Sequence, residues 1–240
     1  MRPFETDACS LSPALGGRRC RSLARLRRMK REVEGMLTDS GPLLRRMLDI
    51  LAASTALVLL APVMLLAALA ILLTGRGPIL YTQERVGQHG SSFQMLKLRT
   101  MVDRADGMKA ALAAQRPEAT DGVRFKLRRD PRITPVGRVL RKLSIDELPQ
   151  LWNVLVGDMT LIGPRPPVWQ EVMKYDARAL RRLEVRPGLT CLWQVSGRSD
   201  LSFEQQVALD LEYIDRVKPR QELLILARTI PAVVTGRGAY

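Results

Sequence analysis

Two carboxylates stand side by side in "SIDELPQLWNVLVGD", residues 144–158, directly behind a run dense in Arg and Lys. Asp146 and Glu147 admit two readings. The structural one is a helix cap: Ser144 and Glu147 fit the S-x-x-E capping box, whose two side chains bond reciprocally to free backbone N–H groups. Acids in a first turn also complement the helix dipole. The other reading is chemical. With Ser144 as N-cap, Pro149 would fall at the fifth helical position and orphan the carbonyl of Ile145, at a cost of about 3 kcal/mol. A first-turn proline is cheap, so the helix is expected to start at Asp146 or just after it. The acids then stand at its mouth, where free N–H groups favour an anion. Upstream, "GVRFKLRRDPRITPVGRVLRKL" sets Arg124, Lys126, Arg128, Arg129, Arg132, Arg138, Arg141 and Lys142 against the single acid Asp130. A bare cap needs no such surroundings, and a phosphate does. One carboxylate could attack phosphorus to form an acyl phosphate while its neighbour holds a divalent cation. Few protein oxygens, completed by water and substrate phosphates, suit Mg²⁺.

Composition narrows the partners. The 240 residues carry a net charge of +14, which points to nucleic acid, anionic lipid or phosphorylated small molecules. Aromatic residues make up only 5% and no nucleic-acid-binding motif is present, which argues against nucleic acid. A membrane-anchored basic binding protein or a scaffold without catalysis is the competing class, and the intact Asp-Glu pair speaks against it. The single histidine, His89, excludes a His-built metal cage and reads as a surface residue in a turn. Cys9, Cys20 and Cys191 are odd in number and lack metal-ligand spacing, as expected of unpaired thiols in a reducing compartment. There is no dinucleotide fingerprint, phosphate loop or zinc signature.

The elements that must position the acids begin with an apolar segment. "MLDILAASTALVLLAPVMLLAALAILL", residues 47–73, has one charge, Asp49, and is long enough to enter lipid. Pro62 near its middle demands a bend or a break. Arg45 and Arg46 precede it and Arg76 and Arg85 follow, so both flanks favour the cytoplasmic face. A helix-break-helix that enters and leaves by one face meets both observations, and an ordinary kinked span remains the alternative. Asp49 is expected to pair with Arg45 or Arg46, because a lone charge there is expensive.

The organisation that follows is a basic arm over 1–41, a membrane helix over 42–75 broken at Pro62, and a catalytic domain over 76–240. The arm is expected to be disordered or to lie on anionic lipid. Ile79–Tyr81 and Phe93–Leu98 read as hairpin strands around Gly87 and Gly90. Helices are expected over "ADGMKAALAAQ", over "QLWNVLVGD" and across 168–183. Two more follow in the C-terminal third, broken at Lys218-Pro219. The fold class is α+β, helix-dominated, with amphipathic interfacial helices and a short hairpin.

From Arg45 to Tyr240 the sequence resembles the bacterial sugar transferases, monotopic polyprenyl-phosphate phosphoglycosyl transferases. The resemblance rests on the Pro-broken apolar segment, "GPILYTQERVGQHGSSFQMLKLRTM", "RKLSIDELPQLWNVLVGDMTLIGPRP", "RPGLTCLWQVSGRSD" and "TIPAVVTGRGAY", in that order. It implies transfer of a sugar 1-phosphate from a UDP-sugar to polyprenyl phosphate at the cytoplasmic face of the bacterial inner membrane. Asp146 would be the nucleophile and Glu147 the Mg²⁺ ligand, and the apolar segment would re-enter the cytoplasmic leaflet.

The same resemblance carries over residue by residue. Lys97 and Arg99 match the basic positions of a KFRTM element, and Arg141 and Arg165 match phosphate or nucleotide contacts. Arg128 and Arg132 are expected to be solvated or lipid-facing charges. Gln194 and Arg198 fall in a loop that would close over the nucleotide, and Trp193 reads as core before base-stacking. Leu98 replaces a usual Phe, Cys191 a common Gly and Ser199 a frequent Asn. Larger relatives carry four more membrane helices, so the expectation here is the short form. Glucose and galactose lead as sugars, and the oligomeric state stays open, a homodimer included.

Overall fold

The computed structural model describes residues 41–75, 77–115, 123, 127, 129–216 and 219–236. The basic arm, most of the run from Arg116 to Arg128 and the last four residues lie outside these. The first element, α1, is a single α-helix over Gly41–Thr74. Its shielded positions are Asp49, Ala53, Ala56, Leu60, Met64, Ala67 and Ile71, spaced three or four apart, so one stripe runs the length of the helix. The other side exposes Leu51, Val58, Leu59, Leu65, Leu66 and Leu69. It is the one helix among the described residues long and apolar enough to cross a membrane.

The expected interruption at Pro62 is not there. Helical conformation continues through it. Pro62 lies on the exposed side and removes one bond, that to the Val58 carbonyl. Packing on either side of it holds the rest. Ala53, Ala56 and Leu57 meet Met95, Leu151, Val154 and Met159. Ala67 and Ile71 meet Leu98, Leu140, Val136 and Ile145.

The hairpin is as expected: β1 (Leu80–Val86) pairs antiparallel with β2 (Ser92–Leu98). His89 takes φ +55° in the connecting turn. Its residue surface is only half-buried, yet both ring nitrogens are sealed from solvent, which corrects the surface reading. Helix α2 (Ala105–Gln115) follows, then α3 (Pro135–Lys142), capped by Thr134 with Pro135 in the first turn. Gly137 is required where it is. A Cβ there would stand 2.0 Å from the Thr100 carbonyl oxygen, so only glycine lets α3 cross the end of β2 this closely.

After α4 (Gln150–Val156) comes a second sheet that the sequence did not announce. Strand β3 (Thr160–Ile162) runs parallel to β4 (Gly188–Thr190). The single helix expected over 168–183 is two short ones, α5 (Trp169–Val172) and α6 (Ala177–Leu180), separated by Asp176 capping the second. Short α7 (Leu192–Ser196) precedes α8 (Phe203–Arg216) and α9 (Pro219–Thr235), the expected final pair. The largest core joins Val86 to Tyr175, Leu183, Phe203 and Val207. Within it Arg182 and Asp210 form a buried ion pair at 2.8 Å.

Candidate active site

The acids do not sit on the helix proper. They occupy a 3₁₀ turn, Ile145–Glu147, followed by α4 from Gln150. Ser144 is left-handed at φ +53° and its side chain caps nothing, so the capping box does not form. Two of the N–H groups expected to be open are engaged: Glu147 N donates to the Ser144 carbonyl and Leu148 N to that of Ile145. Neither is available to an anion. Ile145 packs on Ala67 and Ile71 of α1, so Asp146 is one residue from the membrane helix.

Around this turn the chain gathers cations from distant segments. From β2, the Lys97 ammonium donates to Glu147 Oε1 at 3.0 Å; Arg165, beyond β3, donates to the same oxygen at 3.0 Å. Arg141 on α3 donates from Nε to Thr100 Oγ1 at 2.8 Å, and its charge reaches Asp146. Arg198 lies within electrostatic reach of Glu147 from a left-handed turn residue, φ +52°. Arg85 on β1 adds a fifth cation, held by Gln83 and the Pro166 carbonyl.

The two carboxyls fare differently. Burial alone would push Glu147 up, but Lys97 and Arg165 together hold it well below the usual carboxylate range. Asp146 is pushed up to about 6, first by burial and then by the charge of Glu147, with Lys97 opposing. No side chain among the described residues hydrogen-bonds its carboxylate. Burial also lowers Lys97, Arg141 and Arg198, each opposed by the nearby acids.

The remaining expected residues divide. Arg99 donates to the Gly75 carbonyl at the end of α1 at 3.2 Å. Gln194 accepts from Cys191 Sγ at 3.1 Å, and burial pushes that thiol well up, with Arg165 opposing. Trp193 is buried, as the core reading had it. Arg132 is not solvated: it is buried in a bidentate pair with Asp130, because the loop before α3 folds back on itself. Arg128 lies outside the described residues. Asp49 pairs with neither neighbouring Arg by hydrogen bond. It accepts from Thr160 Oγ1 at 2.6 Å and Leu161 N at 3.2 Å, tying α1 to β3. Arg46 instead donates to the carbonyls of Val154 and Leu155, and Arg45 to Glu222 and Tyr213.

Two residues escaped the sequence reading. Arg85 had been treated as a flank charge. It shares a face with Lys97, since Tyr81 pairs with Lys97 and Arg85 is two pleats along. That alternation was the available signal. Asn153 on α4 is the other: its carboxamide accepts from Leu96 N at 3.0 Å and donates to the Gln94 carbonyl at 2.8 Å. It clamps β2 in the register that brings Lys97 to Glu147, and no local pattern reveals it.

Among the described residues no three of His, Cys, Asp and Glu converge. A cation at this site would rest on the two adjacent carboxylates and on oxygens brought by ligand and water. That donor set fits Mg²⁺ and does not fit zinc. Five cations against two carboxylates leave a positive excess that suits a phosphorylated ligand.

Known proteins are similar to this chain in sequence. The model of the bacterial sugar transferase family matches residues 41–236. The chain is 43% identical to the exopolysaccharide production protein ExoY of Rhizobium meliloti, over 87% of this chain and 93% of that protein. It is 44% identical to a UDP-glucose:undecaprenyl-phosphate glucose-1-phosphate transferase of Caulobacter vibrioides, over 85% and 77%. An undecaprenyl-phosphate galactose phosphotransferase of Salmonella typhimurium is 40% identical over 84% of this chain but 42% of its own length. The match contains every segment that contributes a cation or a carboxylate to the cluster, and with it the chain belongs to the bacterial sugar transferase family.

Proposed function

We propose that this chain transfers a hexose 1-phosphate, glucose or galactose, from a UDP-sugar to undecaprenyl phosphate, through a covalent phosphosugar on Asp146 and with release of UMP. This is the first membrane step of exopolysaccharide, O-antigen or capsule assembly. The observation that carries the reading is the asymmetry of the acids. Glu147 is neutralised by Lys97 and Arg165, whereas Asp146 has no side-chain hydrogen-bond partner among the described residues and faces a site with excess positive charge.

In the first half-reaction an Asp146 oxygen attacks the sugar-proximal phosphorus. The bond to the UMP phosphate oxygen breaks and its electron pair leaves with UMP. In the second, a phosphate oxygen of the lipid attacks the same phosphorus and the Asp146 carboxylate departs. Bound Mg²⁺, held by Glu147, would neutralise charge on the phosphate oxygens. Arg141, Arg165 and Lys97 orient the phosphates, and Arg85 holds the Pro166 carbonyl and with it the Arg165 segment. Arg198 closes the nucleotide side, and Gln194 braces its loop through Cys191. The five cations serve two anionic substrates in turn.

The helix α1 is proposed to enter and leave the inner membrane from the cytoplasmic face, bending in the membrane at Pro62, where the bond to the Val58 carbonyl is missing while helical conformation continues. Support comes from its packing, because residues on both sides of Pro62 touch one body. The exposed Leu side is left for lipid.

Membranes containing the wild type, supplied with labelled UDP-glucose or UDP-galactose, polyprenyl phosphate and Mg²⁺, are expected to release UMP and form a lipid-linked sugar diphosphate. Asp146→Asn is expected to form neither. Mass spectrometry of enzyme given donor alone should find a phosphohexose adduct on Asp146. Product from the Asn variant would remove Asp146 as nucleophile.

A further inference from the structure

The residue after Pro149 belongs to the same turn system as the acids. From Ser144 to Trp152 four backbone bonds run three residues back: Glu147 N to Ser144, Leu148 N to Ile145, Leu151 N to Leu148 and Trp152 N to Pro149. With Leu148 and Pro149 both right-handed helical, the winding is continuous and tight. In such a winding side chains three apart eclipse. Gln150 therefore stands one turn on from Glu147, on the same side of the winding, with Asp146 about a third of a turn away.

Gln150 is 3% exposed, and its amide nitrogen is sealed from solvent with no acceptor among the described residues. Its side chain makes no hydrogen bond to anything described. A buried amide without a partner is costly to keep. A hydrophobic residue would pack more favourably at the start of α4, between Ile145 and Leu151, both already in apolar clusters. The turn's N–H groups at Glu147 and Leu148 are engaged by backbone carbonyls, so those two are not available to a ligand.

We propose that Gln150 is a substrate-contacting residue whose side-chain N–H donates to a non-bridging oxygen of the phosphoryl group transferred to and from Asp146. This rests on the reading above that phosphorus bonds to Asp146. The chemistry it recognises is a phosphoryl oxygen whose negative charge is shared by both half-reactions. A fixed neutral donor there adds no charge to trap the phosphosugar, which the cations alone would do.

The test compares wild type with Gln150→Met and Gln150→Glu as full-length protein in membranes or detergent. UMP release with donor alone and lipid product with both substrates are the activity readouts, and thermal melting without substrate is the structural one. Gln150→Met is expected to melt no lower than wild type, because it removes an unpartnered amide. Its turnover should fall about 100-fold, the usual effect of losing one preorganised donor to a developing oxyanion, with KM for the UDP-sugar changed less than about threefold. Gln150→Glu should lose more, because its charge opposes the phosphate. Met at Gln150 with turnover within about twofold of wild type would overturn the proposal. So would a loss of activity matched by lower melting, which would make the amide a structural bond. Failure of the underlying reading is separate: the wild type itself would then release no UMP with donor alone.

Discussion

At the scale of single residues, the adjacent acids illustrate how neighbours in sequence acquire opposite chemistry. Glu147 is surrounded by Lys97 and Arg165 and stays ionised, while Asp146 is buried beside a fixed negative charge and holds its proton up to about pH 6. As a nucleophile Asp146 must be ionised, so the acid limb of the pH–rate profile is expected near 6 and should move lower as Mg²⁺ is raised. A limb insensitive to Mg²⁺ would place the cation elsewhere. The stability consequence has the opposite sense. An unfolded Asp releases its proton near ~4, so between there and about 6 the folded chain alone keeps it, and this residue's contribution to stability falls as pH rises through that window. Asp146→Asn is therefore expected to be inactive and yet to melt higher than wild type at pH 8 in EDTA. A lower melting point would mean that the carboxylate has a stabilising partner. Lys97→Met should do the reverse, costing about 1–3 kcal/mol because Glu147 loses one of two buried cation bonds. Chemical denaturation measures it.

At the scale of elements, two close approaches decide whether these side chains can meet. Gly137 lets α3 lie against Thr100 and deliver Arg141, and Gly188 lets β4 lie against Gly163 and deliver the Gly-Pro-Arg segment; a Cβ at either would sit 2.0 Å from backbone. Gly137→Ala and Gly188→Ala are each expected to cost at least about 2 kcal/mol. Denaturant midpoints read that loss, and the second should also depress turnover through Arg165. The hairpin was legible because alternating strands and its glycines are local signals. So were α2 and the final helix pair, from spacing and a proline. The β3–β4 sheet was not, because three-residue strands carry no period and their pairing depends on two glycines 25 residues apart. The acids are legible through their company of bases, but their turn is not: the helix expected from Asp146 begins only at Gln150, behind Pro149, and the acids occupy a separate 3₁₀ turn before it. Arg132 was misread for the same reason, since its partner Asp130 was visible in sequence and the loop that buries both was not.

At the scale of the whole molecule, the placement of α1 governs how a water-soluble donor and a lipid acceptor reach one carboxylate. The N-terminal half is locked by polar bonds: Asp49 to Thr160 and Leu161, Arg46 to two carbonyls at the end of α4, and Arg45 to Glu222 on α9. The C-terminal half is locked by apolar contact at Ala67 and Ile71, next to Ile145. At about 1.5 Å per residue the 34-residue helix is some 51 Å long, well beyond the ~30 Å of a hydrocarbon core. A straight crossing would carry one half away from the domain or draw ion pairs into lipid, and the stripe of contacts forbids the first. Single cysteines at Leu44 and Leu73, in a background with Cys9, Cys20 and Cys191 replaced, are therefore expected to be modified by an impermeant thiol reagent from the same side, the one that also reaches the catalytic domain. Reaction from opposite sides would mean that the helix crosses and that its packing along the domain is lost in the membrane. Asp49→Ala offers an independent check. It should loosen only the N-terminal anchor, costing about 1–3 kcal/mol, and, on the proposal that the lipid acceptor arrives along this helix and the nucleotide does not, slow lipid-product formation more than UMP release with donor alone.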